Sequence, residues 1–468
     1  MAMTWSRMAV VMKAATALSF RATRDPQRGA GVDFLPGPSL FGALAGAHRL
    51  LRPDKTEEFN ALFGRDGIRV SNGYPLDRPR AEESSGEADM PGKGAGPPAA
   101  GNPAAKAATP PRPVPATAVS CKRAPGFERA QPAGATDDPD NEHHGVRDRL
   151  LALGAFALSG REKVTPLEDL AVCRALREGA ENGQGHGREC GQPTDSHKGF
   201  AVRDAAGRWH GTRTKMGSLV RVGISDLTGT SEPEVLYSLP TLEEGSRFGV
   251  EFAGEAERLA ILSGFLEEAC ADGRPGAVAG TGRPSPDKVL RVGTNRTRGC
   301  GALVLAVRGE VQTAGEDREA FHERLEGFDR RFRDLCRGYG IDTPAASYFS
   351  VTLLSDAIIP DGALRYVLRL DPPYLGLGRS GESLSLVCHS ATARRVHGWS
   401  AFWRMPKPDE MAIGMGSAFL YACPDPLSNE MLDGLASLEA GGLGARRQQG
   451  FGRVAVSDRF HWELGGSS

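Results

Sequence analysis

The chain has 468 residues, and its 57 basic side chains nearly balance 58 acidic ones, for a formal net charge of −1. That balance excludes a globally basic nucleic-acid binder, so any polyanion site must be local; the length leaves room for two to four domains. Cysteines at 121, 173, 190, 270, 300, 336, 388 and 423 form no close pairs, which argues against a secreted disulfide scaffold and for a reducing cytoplasm. No run approaches ~18 uninterrupted apolar residues, so no transmembrane helix is expected.

In chain order, Met8–Phe20 reads as an opening strand. A secretory leader is not read there, because Lys13 interrupts the apolar stretch and no small-x-small cleavage pattern precedes Arg21 and Arg24. Pro38 and Ser39 suit a helix start, where Gly37, Ser39, Gly42 and nearby backbone N–H groups would face an anion at the positive end. Leu76–Pro115 is dominated by Pro, Gly, Ala, Ser and charge, and is expected to be a disordered linker; Ala130–Asn141 and Ala271–Asp287 are shorter stretches of the same kind. Cys173, His186, Cys190 and His197 form a candidate set for structural zinc in a glycine-rich segment, although the usual paired C-x-x-C is missing. The plain alternative is a mobile loop with incidental ligands. Gly211–Tyr237 carries Arg213, Lys215 and Arg221 and reads as a hairpin.

Lys288, Arg291, Arg296 and Arg298 follow with no acid among them, around Asn295 and Gly299. Arg318–Arg337 spaces Phe321, Leu325, Phe328, Phe332 and Leu335 as an amphipathic helix. Ser347–Ile359, Leu364–Leu370 and Ala412–Tyr421 read as strands, and Leu427–Leu438 as a helix ending at Gly441. Last comes Gly442–Val454, with Gly442, Gly444, Gly450, Gly452, Arg446, Arg447 and Phe451. Glycine lets a backbone approach a ligand closely, and arginine supplies forked donors for phosphate, so this loop reads as a clamp for a phosphate backbone.

Gly442–Val454 resembles the C-terminal glycine-rich loop of the RAMP (repeat-associated mysterious protein) family of CRISPR effector complexes, and Leu290–Val304 resembles a looser second copy. Asp33–Ala45 is similar to the entry of that family's first helix; Phe59–Phe63, Gly67–Val70 and Gly73–Pro75 follow as the family's next segment. Pro113–Pro115, Ser120–Arg123, His144–Asp148, Gly223–Thr230 and Leu236–Ser238 resemble the type III-D subunit at the end of its complex. The resemblance implies an α+β fold of tandem ferredoxin-like (RRM-like, βαββαβ) domains with glycine-rich loops and large insertions. Residues 1–75 would begin the first domain, 76–115 link it, 116–310 complete it with insertions and a zinc-knuckle-like segment, and 311–468 form the second.

The implied function is a non-catalytic subunit that grips the 5′ repeat-derived tag of the crRNA and caps the assembly. Its partners would be the large signalling/nuclease subunit and the backbone RAMP subunits, in the cytoplasm and away from membranes. The implied RNA-binding residues are Gly37, Ser39, Gly42, Arg213, Arg221, Arg291, Asn295, Arg296, Arg298, Gly299, Gly442, Gly444, Arg446, Arg447, Gly450, Phe451 and Gly452. Gly211–Tyr237 resembles a projecting hairpin that separates the tag from the next subunit.

Each motif also has a bland reading: a helix C-cap turn for Gly442–Gly452, and an ordinary hairpin for Leu290–Gly301. Metal-independent RNA cleavage would need a general base and acid. His48, His143 and His144 are the candidates, but they read as a helix-end histidine and a surface turn. A repeat-processing endoribonuclease and a protein scaffold without RNA contact are therefore the two rival functions.

Overall fold

The computed structural model describes residues 5–21, 31–77, 110–128, 143–177, 188–224, 228, 230–270, 290–313, 318–400 and 403–465. The opening strand, Ser6–Ala14, buries Met8, Val10, Met12 and Ala14 on alternate positions, as the two-residue period of a strand requires. It pairs antiparallel with Arg247–Gly254 on one side and Ala302–Thr313 on the other, and Arg247–Gly254 pairs with Arg69–Val70. Numbered along the chain, these four strands lie in the order fourth, first, third, second. Helices Gly37–Leu51 and Ala256–Ala269 join first to second and third to fourth, which is the ferredoxin-like βαββαβ topology. Leu40, Leu44, Leu259, Leu262, Phe265 and Leu266 of these helices share one core with the strand residues.

A second sheet repeats the topology. Ser347–Leu353, Ser385–Ser390, Ala418–Cys423 and Val454–Val456 are its four strands, again ordered fourth, first, third, second. Helix Asn429–Gly441 joins third to fourth, its start capped by Ser428, whose hydroxyl accepts from the Met431 N–H. Two short 3₁₀ turns, Pro372–Leu375 and Gly378–Gly381, stand between first and second strands where the first module has a full helix. The fold is therefore α+β, with two ferredoxin-like modules in tandem.

The second sheet is covered on both faces, and the sequence shows why. Ala418–Cys423 is buried throughout: Phe419 and Tyr421 face one core, Leu420 and Ala422 the other. That second core is closed by helix Arg318–Gly338, through Phe328, Phe332 and Cys336, and by helix Leu150–Leu158 from the insertion in the first module. Leu150–Leu158 has no polar face, and Gly154 lets it seat, since a Cβ there would lie 2.3 Å from a Leu420 methyl. Its root is a buried polar chain. His461 Nδ1 meets Asp148 at 2.9 Å, His461 Nε2 meets the Thr352 hydroxyl at 2.7 Å, and Thr117 donates to Asp148 at 2.6 Å.

Of the expected linker 76–115, residues 78–109 lie outside the described residues, whereas Arg112–Pro113 pairs with Phe200–Ala201 and belongs to the fold. Residues 129–142 and 271–289 likewise lie outside.

Several expected strands are shorter than read. Met8–Phe20 ends at Ala14, and Ser347–Ile359 at Leu353: beyond each, two carbonyls accept from a glycine-rich loop (Ala17 and Ser19; Asp356 and Ile358), and strand contact shrinks to isolated bridges, Leu18 to Leu242 and Ala357 to Ile413. Ala412–Tyr421 falls across two strands, Glu410–Ile413 and Ala418–Cys423, parted near Gly416 at φ 83°. Leu364–Leu370 is not a strand: the Asp361 carboxylate accepts from the N–H groups of Ala363 and Arg365 and folds the chain into a turn, leaving one bridge, Pro360 to Tyr366.

Candidate nucleic-acid interface

The two glycine-rich loops are built on one backbone. Asn295 and Arg446 both stand at φ 57°, ψ 28°; a 3₁₀ turn follows each, Arg296–Arg298 and Arg447–Gln449; then Gly299 (φ 86°) and Gly450 (φ 88°) close them. Gly293 matches Gly444, and Gly301 matches Gly452, all at positive φ. Their hydrogen bonds match too. Val292 N–H donates to Gly301 O, as Leu443 does to Gly452 O. Thr294 and Gly301 donate to Ser19 and Ala17, as Ala445 and Gly452 do to Ile358 and Asp356. Each loop is thus pinned to the segment just beyond its own module's first strand.

Close approach makes the glycines necessary. A Cβ at Gly293 would lie 2.4 Å from Ser19 O, and one at Gly444 2.3 Å from Ile358 O. Gly442 has the plainer task of ending its helix, its N–H donating to Leu438 O.

Superposing the motifs pairs Arg296 with Arg447. Both side chains are exposed, and neither guanidinium has a hydrogen-bond or ion-pair partner among the described residues. Around the first loop the basic groups gather. Arg221 donates to Arg298 O at 3.1 Å, Arg298 to the Tyr237 hydroxyl at 3.2 Å, and Arg291 to Arg296 O at 3.2 Å. Arg221 and Tyr237 come from the paired strands Met216–Ile224 and Ser231–Leu242, the expected hairpin, so that hairpin docks on the loop. Arg213 is exposed beside the start of this hairpin and is not part of the cluster.

The second loop is wedged between the modules. Gln448 donates to Arg65 O at 2.7 Å and to Gly64 O, and Gly450 packs where a Cβ would meet Val70 O at 2.6 Å. Gly37, at the start of the first helix, packs against Gln449 O, and its N–H is taken by the Asn72 side chain at 2.8 Å. Ser39 is half-buried behind it, and Gly42 faces open space. Arg446 is committed internally: it donates to Glu410 at 2.5 Å and Gln449 at 2.9 Å, and lies over the Phe451 ring. Phe451 is itself buried with Ile358, Val396 and Ala412, so it buttresses the loop.

Beside the second loop is a cavity of about 230 Å³ lined by Trp5, Arg65, Asp66, Gly67, Arg69, Gly444, Arg446, Arg447, Gln448 and Gln449. Arg69 stacks 3.8 Å from the centre of the Trp5 ring and donates to Gly441 O. Burial above all, and then the neighbouring Arg447 charge, bring its guanidinium down to about 10. Sequence reading missed Trp5, Arg65 and Arg69. The one available signal was that Gly67–Val70, already singled out as a motif, contains Arg69 and follows Arg65 by two positions.

The zinc candidates separate. Cys173 and Cys190 come together, but with Cys121 and His144, the four donor atoms lying within 4.8 Å of one another. His197 is outside this cluster, 3.3 Å from the Ser120 hydroxyl and packed on the Phe127 ring; His186 lies outside the described residues. Burial raises the Cys121 thiol, yet the Ala124 and Arg123 N–H groups, with His144 and Cys173, outweigh it and bring it down to about 7. His48, a candidate base, is fully buried with Nε2 3.0 Å from Glu58.

No protein-family model matches the chain, and no curated protein matches it. Among solved structures, a chain of the type III-B Cmr-beta complex bound to cognate target RNA and AMPPnP is similar at 10% identity. It covers 88% of this chain and 86% of that one, with a TM-score of 0.35. A chain of the apo Cmr-beta complex shares 12% identity over 64% of this chain and 96% of that one, TM-score 0.27. Thermus thermophilus Cas6 shares 12% identity over 45% of this chain and 75% of that one, TM-score 0.25. No helix among the described residues is long and apolar enough to cross a membrane.

Proposed function

We propose that this chain is a non-catalytic RNA-binding subunit of a type III CRISPR effector, of subtype D, that grips the 5′ repeat-derived tag of the crRNA and caps the assembly. The observation that carries the reading is the repeated loop: two ferredoxin-like modules hold one rigid glycine framework twice, and each presents an uncompensated arginine, Arg296 or Arg447, at the same point. Guanidinium groups on a fixed backbone suit phosphate, and a chain of nearly balanced charge needs such local sites to hold RNA. Arg221, Arg291, Arg296 and Arg298 form the first phosphate contact, and Arg69 with Arg447 the second. Crowded guanidiniums become favourable once an anion lies between them. The large signalling/nuclease subunit and the backbone RAMP subunits are the protein partners of this reading, and the cytoplasm its place.

Catalysis has little to recommend it, because His48 is spent on Glu58 and His144 lies against Cys173. The test is binding and cleavage of a labelled CRISPR repeat RNA at two salt concentrations, by the wild type and by Arg296→Ala/Arg298→Ala. Uncut, salt-sensitive binding that the variant weakens is expected. Cutting by the wild type would instead identify a processing nuclease, and RNA binding unaffected by the variant would remove the loop from the interface.

A further inference from the structure

We propose that Cys121, His144, Cys173 and Cys190 form a closed, structural zinc site that holds together the insertion between the second and third strands of the first module. The four ligands come from three separate stretches. Cys121 ends the strand Ala118–Cys121, and His144 stands just before its partner, Val146–Asp148. Cys173 and Cys190 frame the two-stranded hairpin of Leu176–Arg177 with Arg188–Glu189. The base of that hairpin is fastened by Cys190 N–H to Ala175 O at 2.9 Å, Cys173 N–H to Gln192 O at 2.7 Å, and Gly191 N–H to Cys173 O at 3.0 Å.

The spacing fits a tetrahedral ion. Zinc bonds of about 2.3 Å to sulfur and about 2.0–2.1 Å to nitrogen give tetrahedron edges of about 3.8 Å between sulfurs and about 3.6 Å between sulfur and nitrogen. Cys121 Sγ and Cys190 Sγ are 3.9 Å apart, and Cys173 Sγ and His144 Nδ1 are 3.4 Å apart. A disulfide would need about 2.05 Å. Three thiolates and one imidazole favour zinc among the divalent ions, and four protein ligands leave no open position for chemistry. Arg147, which donates to Val172 O at 2.6 Å beside Cys173, sets a positive charge near the net negative site.

Composition shows why a metal is needed. The local core is Cys121, Cys173 and Cys190, backed only by the partly buried Ala124 and Ala175. Among the described residues this cluster holds no large apolar side chain to drive the corner closed, so coordination takes the place of hydrophobic burial.

The test uses the purified full-length chain. Metal analysis should find one zinc per chain. Stripping with a chelator and adding cobalt(II) should give the intense d–d bands of a tetrahedral thiolate-rich site. Cys121→Ser/Cys190→Ser should lose the metal, whereas His144→Cys should keep it as a four-cysteine site and His197→Ala should keep it in full. Chelation should open residues 118–128, 143–148 and 172–177 to protease while the four-stranded sheets of the two modules stay resistant. A metal-free wild type that gives only octahedral cobalt bands would overturn the proposal, as would a Cys121–Cys190 disulfide found by mass spectrometry. The His144→Cys and His197→Ala variants and the cobalt spectrum keep the question answerable if the double serine variant does not fold.

Discussion

The first glycine-rich loop faces outward and the second is clasped between the modules, although their backbones coincide residue for residue. The difference lies in four exchanges: Thr297 becomes Gln448, which reaches Gly64 O and Arg65 O, and three others follow. Asn295 becomes Arg446, which is consumed by Glu410 and Gln449; Arg298 becomes Gln449; Cys300 becomes Phe451, which fills an apolar niche. A shared backbone thus supports two uses. The first loop supplies charge to its surroundings, whereas the second supplies charge at Arg447 alone and spends its other side chains on the seam.

That contrast can be broken at the glycines, where the largest effect is expected. Gly450→Ala would push a Cβ to 2.6 Å from Val70 O at φ 88°, and should cost about 3 kcal/mol or more in urea unfolding. Gly299→Ala, with open space around its Cβ and φ 86°, should cost only the left-handed penalty of about 1–2 kcal/mol. Equal losses would show that the loops are equally loose.

Arg446→Ala removes the contacts to Glu410, Gln449 and Phe451, and should lower stability by about 1–2 kcal/mol, while any change in RNA affinity follows only from the loosened loop. Arg447→Ala should do the reverse. RNA affinity should fall about tenfold, and Tm should hold or rise slightly because repulsion with Arg69 is relieved. At the open loop, Arg296→Ala/Arg298→Ala should leave Tm unchanged and flatten the slope of log K against log salt by about 1.4, two contacts on a single strand. A variant with unaltered slope would place the RNA elsewhere.

Acid should separate the two loops more gently. Burial raises the Glu251 carboxyl, but Arg453, at the end of the second loop, and Arg7 outweigh it and hold it below the ordinary value. A depressed carboxyl contributes stability above the unfolded glutamate pKa of about 4.3 and loses it as pH falls through the folded value. Hydrogen exchange in the second loop should therefore accelerate below about pH 4 before it does so in the first. Glu251→Gln should abolish that difference.

Much of this was legible in the sequence, and the rest was hidden for physical reasons. Both loops and the helix Arg318–Gly338 carry their signatures locally, in glycine spacing and in the helical period of Leu325, Phe328 and Phe332. The strands after which the loops dock were overread, because hydrophobicity continues past Ala14 and Leu353 although the ladder there gives way to glycine-loop bonds and isolated bridges. The cysteine–histidine cluster was only half legible. Cys173 and Cys190 lie close in sequence, but Cys121 and His144 join them only through the pairing of Ala118–Cys121 with Val146–Asp148. Arg69 was missed because its meaning depends on Arg447, from the other module.

The helix Leu150–Leu158 has a consequence for how the protein is made. It is a wholly apolar segment rooted in the first module, yet the strand that covers it, Ala418–Cys423, is near the end of the chain. During synthesis that sticky helix leaves the ribosome long before its cover exists. The insertion therefore cannot bury this helix until the second module is made, and truncated or stalled chains should be targets for chaperones and aggregation.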